Sequence, residues 1–336
     1  MVKIAICKNG GGFTNRWIEY CETHRINYIL VNAYDDDIIE QVRDCSAFMW
    51  HHNHGNISDH LFAKQLLQSL QSVGLKVFPN AATGWHFDDK VGQKYLLEAI
   101  GVPFIKTHVF YDKESAKEWA RKTDYPIVFK LRGGAGSSNV KLIKNKNQAF
   151  RTINKSFSKG WHYFDSWHLF VDNIKKYFNG NGHIRDVAKY AYIYLRGLFL
   201  GDDFPKQKGY VYFQEFIPNN EFDIRVCVVN DKAFALKRMA RKGDFRASGS
   251  GKIIYDKNQI DIRCVKVAFD ANKALRSQST AFDFVFDKNG NPFIVEISYG
   301  YTAKAYDVCE GYWTDDMQWH EGTNFDFCGW MVESVI

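Results

Sequence analysis

Residues 281–298 read AFDFVFDKNGNPFIVEIS, two apolar stretches on either side of a short polar segment. The dipeptide Asn289-Gly290 favours a two-residue hairpin turn, because both residues tolerate the positive φ that such a turn requires. With the turn centred there, counting outward places Asp283 directly opposite Glu296 on the neighbouring strand. The segment therefore predicts a β-hairpin that carries two facing carboxylates.

The alternation of the two strands also predicts which side of the hairpin is buried. Successive side chains of a strand point to opposite faces, so the two acids share one face and the apolar residues share the other. The residues expected on the buried face are Phe282, Phe284, Phe286, Phe293, Val295 and Ile297.

The two facing acids indicate a candidate metal site. Like charges directly opposite each other destabilise a hairpin, and a cation bound between them removes that cost. Mg²⁺ prefers oxygen ligands and is usually bound by one or two carboxylates together with substrate phosphates. The alternative is a solvent-exposed hairpin face on which two acids lie opposite each other by coincidence.

Length and composition describe a globular protein. The chain has 336 residues, which corresponds to about two domains. Hydrophobic residues make up 46% and charged residues 24%, which excludes a disordered chain. The net charge of +6 is mild and its Lys and Arg are interspersed with acids, so we expect no nucleic-acid partner.

The same sequence shows no sign of a membrane or secretory segment. No run approaches the roughly 18 apolar residues that span a bilayer, and the start of the chain lacks the features of a signal peptide. The 7 cysteines are scattered, without a CxxC pair. We therefore expect a cytoplasmic protein without a membrane partner.

Patterning along the chain predicts an α/β organisation. Over residues 1–79 short apolar strands alternate with helical patterns, which favours a mostly parallel sheet. A helix is expected over 88–100 and an aromatic, helical insertion over 155–208. Residues 210–298 are expected to be largely strands, followed by an irregular aromatic tail over 299–336.

Two further segments suit a nucleotide. Residues 125–140, YPIVFKLRGGAGSSNV, predict a strand, a loop of small residues and a return strand. Such a loop offers backbone N–H groups and hydroxyls to phosphate, although a plain turn is the alternative. Residues 210–226, YVYFQEFIPNNEFDIRV, predict two strands around a polar break that can contact an adenine edge.

In this order the segments resemble the ATP-grasp superfamily over about residues 80–300, and most closely its ribosomal-protein glutamate ligase and D-alanine–D-alanine ligase branches. The resemblance implies an α/β (α+β) ATP-grasp fold with an N-terminal Rossmann-like unit, 1–79, and an ATP-grasp domain, 80–336. Within the latter it implies a lid over about 103–209 with the helical insertion in or next to it, a metal- and nucleotide-binding sheet over 210–300, and a tail over 301–336.

The resemblance also assigns roles by position. Lys90 and Lys130 match the two ATP-binding lysines, and Glu221 matches the ribose-binding acid. Asp283 and Glu296 match the metal-binding acids. Ser298 stands where the family usually has a third metal ligand, an Asn, and Ala281 stands where it often has an Arg. The phosphate-covering loop corresponds to Gly133, Gly134, Gly136, Ser137 and Ser138, and the adenine-binding hinge to Gln214, Glu215, Phe216 and Ile217.

Residues 237–251, KRMARKGDFRASGSG, resemble a segment near the reaction centre of the glutamate ligases. Arg238, Arg241 and Arg246 are the candidates for binding a γ-phosphate or an acyl-phosphate, with Lys130 as a further catalytic cation. The alternative is a solvated basic strand followed by a flexible loop.

The resemblance implies an ATP-dependent ligase that uses one or two Mg²⁺ ions, or Mn²⁺ in their place. It would activate a carboxylate as an acyl-phosphate and join it to an amine, with ADP and phosphate released. We expect small-molecule substrates, such as an amino acid, a peptide or a uronic sugar, and a homodimer as one expected assembly. An ATP-grasp kinase and a non-catalytic ATP-binding module are the alternatives. Residues 50–55, WHHNHG, follow a strand and suit packing, substrate contact or a metal.

Overall fold

A computed structural model describes residues 2–8, 12–134, 139–163, 166–178, 182–200, 204–241, 244–246, 251–323 and 325–336, without the side chains of residues 166, 168, 169, 176 and 198–200. The chain divides into two compact units. The first comprises Met1–Phe87, Gly92–Ile105 and Ile217–Ile336, and the second comprises Asp88–Val91 and Lys106–Phe216.

The N-terminal part of the first unit is a four-stranded parallel sheet, as the alternation of strands and helices predicted. The strands lie in the order β2-β1-β3-β4, and buried side chains such as Ala5, Phe48 and Val77 pack against α3. The elements are β1 (Lys3–Cys7), α1 (Thr14–Thr23), β2 (Asn27–Val31), α2 (Ile38–Val42), β3 (Ala47–Met49), α3 (Ile57–Ser72), β4 (Lys76–Phe78) and α4 (Ala81–Gly84). The helix α5 (Lys90–Ala99) begins in the second unit and continues in the first.

The second unit contains a four-stranded antiparallel sheet and helices. Its strands lie in the order β5-β8-β6-β7, and Ala116, Ala120 and Ile153 bury the apolar faces of two helices against it. The elements are β5 (Thr107–Phe110), α6 (Lys113–Lys122), β6 (Ile127–Lys130), β7 (Lys141–Ile143), α7 (Lys146–Ser156), α8 (Ser166–Phe178), α9 (Ile184–Leu200) and β8 (Val211–Glu215).

The remainder of the first unit is built on a seven-stranded sheet. Six strands lie in the order β13-β12-β9-β10-β14-β15, and β11 pairs with β10. The elements are β9 (Phe222–Val229), β10 (Lys232–Met239), β11 (Ile253–Ile254), α10 (Ile262–Leu275), β12 (Ser279–Phe286), β13 (Pro292–Ser298), β14 (Gly311–Thr314), β15 (Trp319–Glu321) and α11 (Phe327–Glu333).

The helix α10 corrects the expectation that residues 210–298 are largely strands. Cys264, Val265, Ala268 and Leu275 are buried and recur at helical spacing, which gives the helix one apolar face. The side chain of Asp261 accepts a hydrogen bond from the backbone N–H of Arg263 and caps the first turn. This face packs against one side of the seven-stranded sheet.

The predicted hairpin forms, but its turn is one residue longer than expected. The N–H of Asp287 donates to the carbonyl of Asn291 at 3.0 Å, so three residues connect the strands. Gly290 has a φ of +74°. The carboxylate of Asp287 accepts hydrogen bonds from the backbone N–H groups of Asn289 and Asn291, both at 2.8 Å, and these bonds stabilise the longer turn.

A β-bulge at Val295 restores the predicted register farther along the hairpin. Phe284 pairs with Ile294, whereas the next pair is Asp283 with Glu296. The prediction that Val295 and Phe293 lie on the buried face was wrong, because the bulge and the longer turn shift this part of the strand by one residue. Ile294 is fully buried in their place, whereas Phe293 and Val295 are half-buried.

The C-terminal segment is more regular than the sequence suggested. Strands β14 and β15 extend the large sheet, and α11 packs against α1. Arg16 on α1 donates to both carboxylate oxygens of Asp307, at 2.6 and 2.7 Å. Among the described residues, no helix is both long enough and apolar enough to cross a membrane.

Candidate active site

The face of the large sheet opposite α10 changes character along its strands. At one end it is apolar and includes the buried Cys227, Phe234 and Leu236. At the other end, the side chains that point to this same face from β9, β10, β12 and β13 are charged. The predicted pair, Asp283 and Glu296, lies in this charged region with its side chains in register.

Asp283 is bound by two arginines. Arg225, its register partner on β9, donates from Nε to Oδ1 at 2.5 Å and from Nη2 to Oδ2 at 2.6 Å. Arg238 on β10 approaches Oδ2 with Nη2 at 3.0 Å. Arg238 also donates to both oxygens of Asp223, at 2.7 and 2.5 Å, so the four side chains form one continuous ion-pair network.

This network determines the charge of the candidate metal site. Burial alone would raise the pKa of Asp283, but the charges of Arg225 and Arg238 hold it well below its ordinary value. The carboxylate is therefore ionised at neutral pH. With Glu296 included, three acids and two guanidinium groups make up the charged region on this face of the sheet.

The oxygen donors present fit Mg²⁺ with substrate phosphates as further ligands. Asp283 and Glu296 supply two carboxylates on adjacent strands, and Mg²⁺ needs no more than one or two from the protein. The Ser298 hydroxyl donates to the carbonyl of Gly300 at 3.0 Å and accepts from its N–H at 3.2 Å. No group of three or more His, Cys, Asp or Glu arranged for a metal occurs among the residues that the structure describes.

The other predicted arginines lie just beyond β10. Arg246 donates from Nη2 to Asp244 at 2.6 Å and from Nε at 2.9 Å, and both side chains are largely buried. Arg241 is half-buried. Asp244 thus orients the guanidinium of Arg246, a role that the sequence analysis did not assign.

The predicted phosphate-binding residues of the second unit lie at the start of the small-residue loop. Lys90 and Lys130 are each only 5% exposed, and Nζ of Lys90 donates to the carbonyl of Gly134 at 2.8 Å. Lys130 is the last residue of β6 and pairs with Tyr212. Gly136, Ser137 and Ser138 lie outside the described residues.

Asp88 organises the start of this loop. One of its carboxylate oxygens accepts from the N–H of Gly134 at 2.8 Å, and the other accepts from the hydroxyl of Tyr163. The Tyr163 ring packs on Gly133, where an added Cβ would lie 2.5 Å from the ring. Burial, reinforced by Asp88, raises the pKa of Tyr163 well above its ordinary value, so the phenol remains a donor.

The residues predicted to contact adenine and ribose lie at and after the end of β8. Gln214 is buried and donates to the hydroxyl of Thr107 at 3.2 Å, whereas Glu215 forms an exposed ion pair with Lys106 at 3.3 Å. Phe216 belongs to the second unit and is half-buried. Ile217 and the exposed Glu221 belong to the first unit, where the carbonyl of Glu221 accepts from the N–H of Ala240.

The histidine-rich segment at the end of β3 is packed into the first unit. His51 stacks on Phe13 with ring centroids 4.0 Å apart, and its Nδ1 accepts from the N–H of Phe13. His52 packs against Phe87 and Tyr299. Burial lowers the pKa of both imidazoles to about 3, so both are neutral at physiological pH.

Known proteins match this chain in sequence and in structure. Residues 205–308 match the family model of the RimK-like ATP-grasp domain. A phosphoribosylamine–glycine ligase of Fusobacterium nucleatum is 30% identical over 98 residues, which are 29% of this chain and 23% of that protein. The chain thus spans less than a quarter of the length of this relative.

Solved structures share the fold. A RimK-domain ATP-grasp protein of Sphaerobacter thermophilus aligns with a TM-score of 0.56 at 14% identity, over 99% of each chain. The biotin carboxylase domain of the Hydrogenobacter thermophilus 2-oxoglutarate carboxylase, solved as a dimer with MgADP and bicarbonate, aligns with a TM-score of 0.59 at 13% identity. That alignment covers 100% of this chain and 70% of the other. The predicted resemblance is confirmed at the level of the fold: the chain has the ATP-grasp fold, and its residues 205–308 match the RimK-like ATP-grasp domain model.

Proposed function

We propose that this protein is an ATP- and Mg²⁺-dependent ligase that joins a carboxylate to an amine. The observation that carries the proposal is the register pair Asp283–Glu296, flanked by Arg225 and Arg238, inside the segment that matches the RimK-like ATP-grasp domain. Acids that would hold a metal and guanidinium groups that match phosphate geometry stand on neighbouring strands.

The chemistry proposed has two steps. A substrate carboxylate oxygen attacks the γ-phosphorus of ATP, and ADP leaves with the bridging oxygen. The amine then attacks the acyl carbon, phosphate leaves, and the nitrogen loses a proton. Mg²⁺ held by Asp283 and Glu296 would supply charge neutralisation for the phosphates when bound.

The chain's own residues position and neutralise the reacting groups. Lys90 and Lys130 are buried cations beside the loop that begins at Gly133, and they would bind phosphate oxygens. Arg238 and Arg246 are each oriented by a bidentate bond to an Asp, so their guanidinium groups need little reorganisation to meet a phosphoryl oxygen. A loop over the phosphates would exclude water from the acyl-phosphate.

The experiment measures the release of ADP and of free phosphate in reactions that contain the purified protein, Mg-ATP and pools of carboxylates and amines. A ligase releases both products in equal amounts, and only when an acid and an amine are present. Glu296→Gln removes one metal-binding charge and is expected to abolish turnover. Glu310→Gln, an exposed acid of the same unit, is the matched control and is expected to be neutral.

The kinase alternative rests on Ala281 and Ser298, which stand where related ligases often have an Arg and usually have a metal-binding Asn. The hydroxyl of Ser298 is hydrogen-bonded to Gly300 instead. ADP release without free phosphate would establish a kinase and refute the ligase. A binding module would retain ATP affinity with no turnover, whatever acceptor is supplied.

The substrates, the oligomeric state and the cellular location are further proposals, and each depends on the proposed ligase activity. We propose a small amino acid, peptide or uronic sugar as substrate, and a cytoplasmic enzyme that needs no nucleic acid. The Hydrogenobacter thermophilus relative was solved as a dimer. A homodimer is the assembly to test for this chain by sedimentation.

A further inference from the structure

The helices α8 and α9 of the second unit expose large apolar side chains. Phe178 is 80% exposed, Tyr192 67% and Ile184 59%. The two helices pack against each other, with the ring of Tyr194 5.1 Å from that of Trp167. The apolar residues that point outward therefore do not serve the contact between the helices.

Most of the exposed residues of α9 divide into two adjoining stripes, and Ile193, which is 36% exposed, lies outside both. At about 100° per residue, Ile184, Ala188, Tyr192 and Leu195 fall within an arc of about 80°. Arg185, Lys189 and Arg196 occupy the adjoining arc of about 40°. All seven are exposed, whereas the acids of the two helices, Asp172 and Asp186, are half-buried.

We propose that this outer surface of the helical hairpin lies on an anionic lipid bilayer. We call it the hairpin surface and define it by Ile184, Tyr192, Leu195 and the basic stripe beside them. An apolar stripe next to Lys and Arg is the pattern by which an amphipathic helix binds in the plane of a membrane interface. The basic stripe complements the negative charge of phosphatidylserine-type headgroups.

Charge also argues against a second copy of this chain as the partner. In a two-fold symmetric contact the same patch meets itself, so the basic stripes of both copies, six Lys and Arg side chains in all, would be brought to one interface. The sequence-based expectation of no membrane partner considered only segments that span a bilayer. A helix that lies on the surface is too polar to be detected in that way.

The test uses the purified full chain and sedimentation with vesicles, without nucleotide. Binding is expected to vesicles of phosphatidylcholine with about 30% phosphatidylserine and to weaken with salt, whereas pure phosphatidylcholine binds far less. Each basic residue near such a surface contributes about a fivefold gain in affinity, so R185Q/K189Q is expected to bind about 25-fold more weakly. K146Q/R151Q removes two exposed charges from α7 of the same unit and is the matched control.

A second variant tests the apolar stripe. Y192S/L195S replaces two outward-facing residues, so it is expected to keep the parent's thermal midpoint and to lose most vesicle binding. The proposal would be overturned if R185Q/K189Q and K146Q/R151Q lost vesicle affinity equally, or if the parent did not bind vesicles. Binding to polyglutamate but not to vesicles would identify an acidic protein partner instead. A dimer that Y192S/L195S dissociates would identify a second copy. None of these outcomes depends on the proposed ligase activity.

Discussion

Replacing Arg225 with Met tests whether the ion-pair network maintains the candidate metal site. The substitution removes hydrogen bonds of 2.5 and 2.6 Å and leaves Asp283 with Arg238 alone, at 3.0 Å. Removing one partner of a buried ion pair costs about 3–5 kcal/mol. Since Arg225 and Asp283 retain 24% and 17% exposure, the lower value of about 3 kcal/mol is appropriate here.

The measurement is the thermal midpoint of unfolding of the purified chain without nucleotide. For a unit of about 200 residues, 3 kcal/mol corresponds to a decrease of about 6–12 °C. Arg263→Met is the matched control, because Arg263 donates to Asp261 at 2.6 Å but is 54% exposed. An exposed pair contributes about 1 kcal/mol at most, so the control is expected to lose less than about 4 °C.

Magnesium provides a second readout in the same assay. Without Arg225 the carboxylate of Asp283 has more uncompensated charge, so added Mg²⁺ is expected to stabilise Arg225→Met more than the parent or the control. If the thermal midpoint of Arg225→Met fell no further than that of Arg263→Met, the reasoning about the ion-pair network would be refuted. Equal stabilisation of all three proteins by Mg²⁺ would refute the assignment of Asp283 to a metal.

Three further predictions concern other parts of the chain. Lys90→Gln is expected to weaken ATP binding at least tenfold in calorimetry, because it removes a buried cation. Lys94→Gln on the same helix, whose Nζ pairs with Glu98 at 2.6 Å, is the control and is expected to leave ATP binding unchanged. Gly133→Ala would place a Cβ 2.5 Å from the Tyr163 ring, and a loss of about 1–3 kcal/mol in thermal or denaturant unfolding is expected. His52 has its pKa lowered to about 3 by burial, so the unfolded chain binds a proton that the folded chain does not, and stability falls as the pH falls from about 6.5 towards 3. His52→Leu is therefore expected to reduce the slope of stability against pH by about 1.4 kcal/mol per pH unit in that range, and an unchanged slope would contradict the assignment.

The sequence predicted the fold and the pairing of Asp283 with Glu296. The predicted pairing assumed a two-residue turn and a regular strand, and the structure has neither. The turn is longer than the Asn289-Gly290 signal indicates, because Asp287 binds two backbone N–H groups with its side chain. The bulge at Val295 compensates for the extra residue. Neither feature has a reliable sequence signature, so the burial of Ile294 in place of Phe293 and Val295 was not foreseen.

The network around Asp283 depends on strand pairing between distant parts of the chain. Asp223 and Arg225 alternate with the buried residues of β9, and this alternation indicates that both lie on one face. It does not indicate that β9 pairs with β12, which places Arg225 opposite Asp283. The helix α10 is different: strands were expected there, although its apolar spacing and its cap at Asp261 are local features of the sequence.

The bulge at Val295 also bears on how this hairpin can tolerate insertions and deletions. The longer turn shifts one strand by a residue, and the bulge shifts it back before Glu296. Removal of one turn residue together with Val295 would keep the two carboxylates opposite each other. Removal of Val295 alone would leave Ile294 paired with Phe284 and Glu296 paired with Asp283 without a bulge, and removal of one turn residue alone would leave both pairs unchanged. Length changes at the tip of this hairpin are therefore compatible with the metal-binding pair whenever Phe284 stays paired with Ile294 and Asp283 with Glu296.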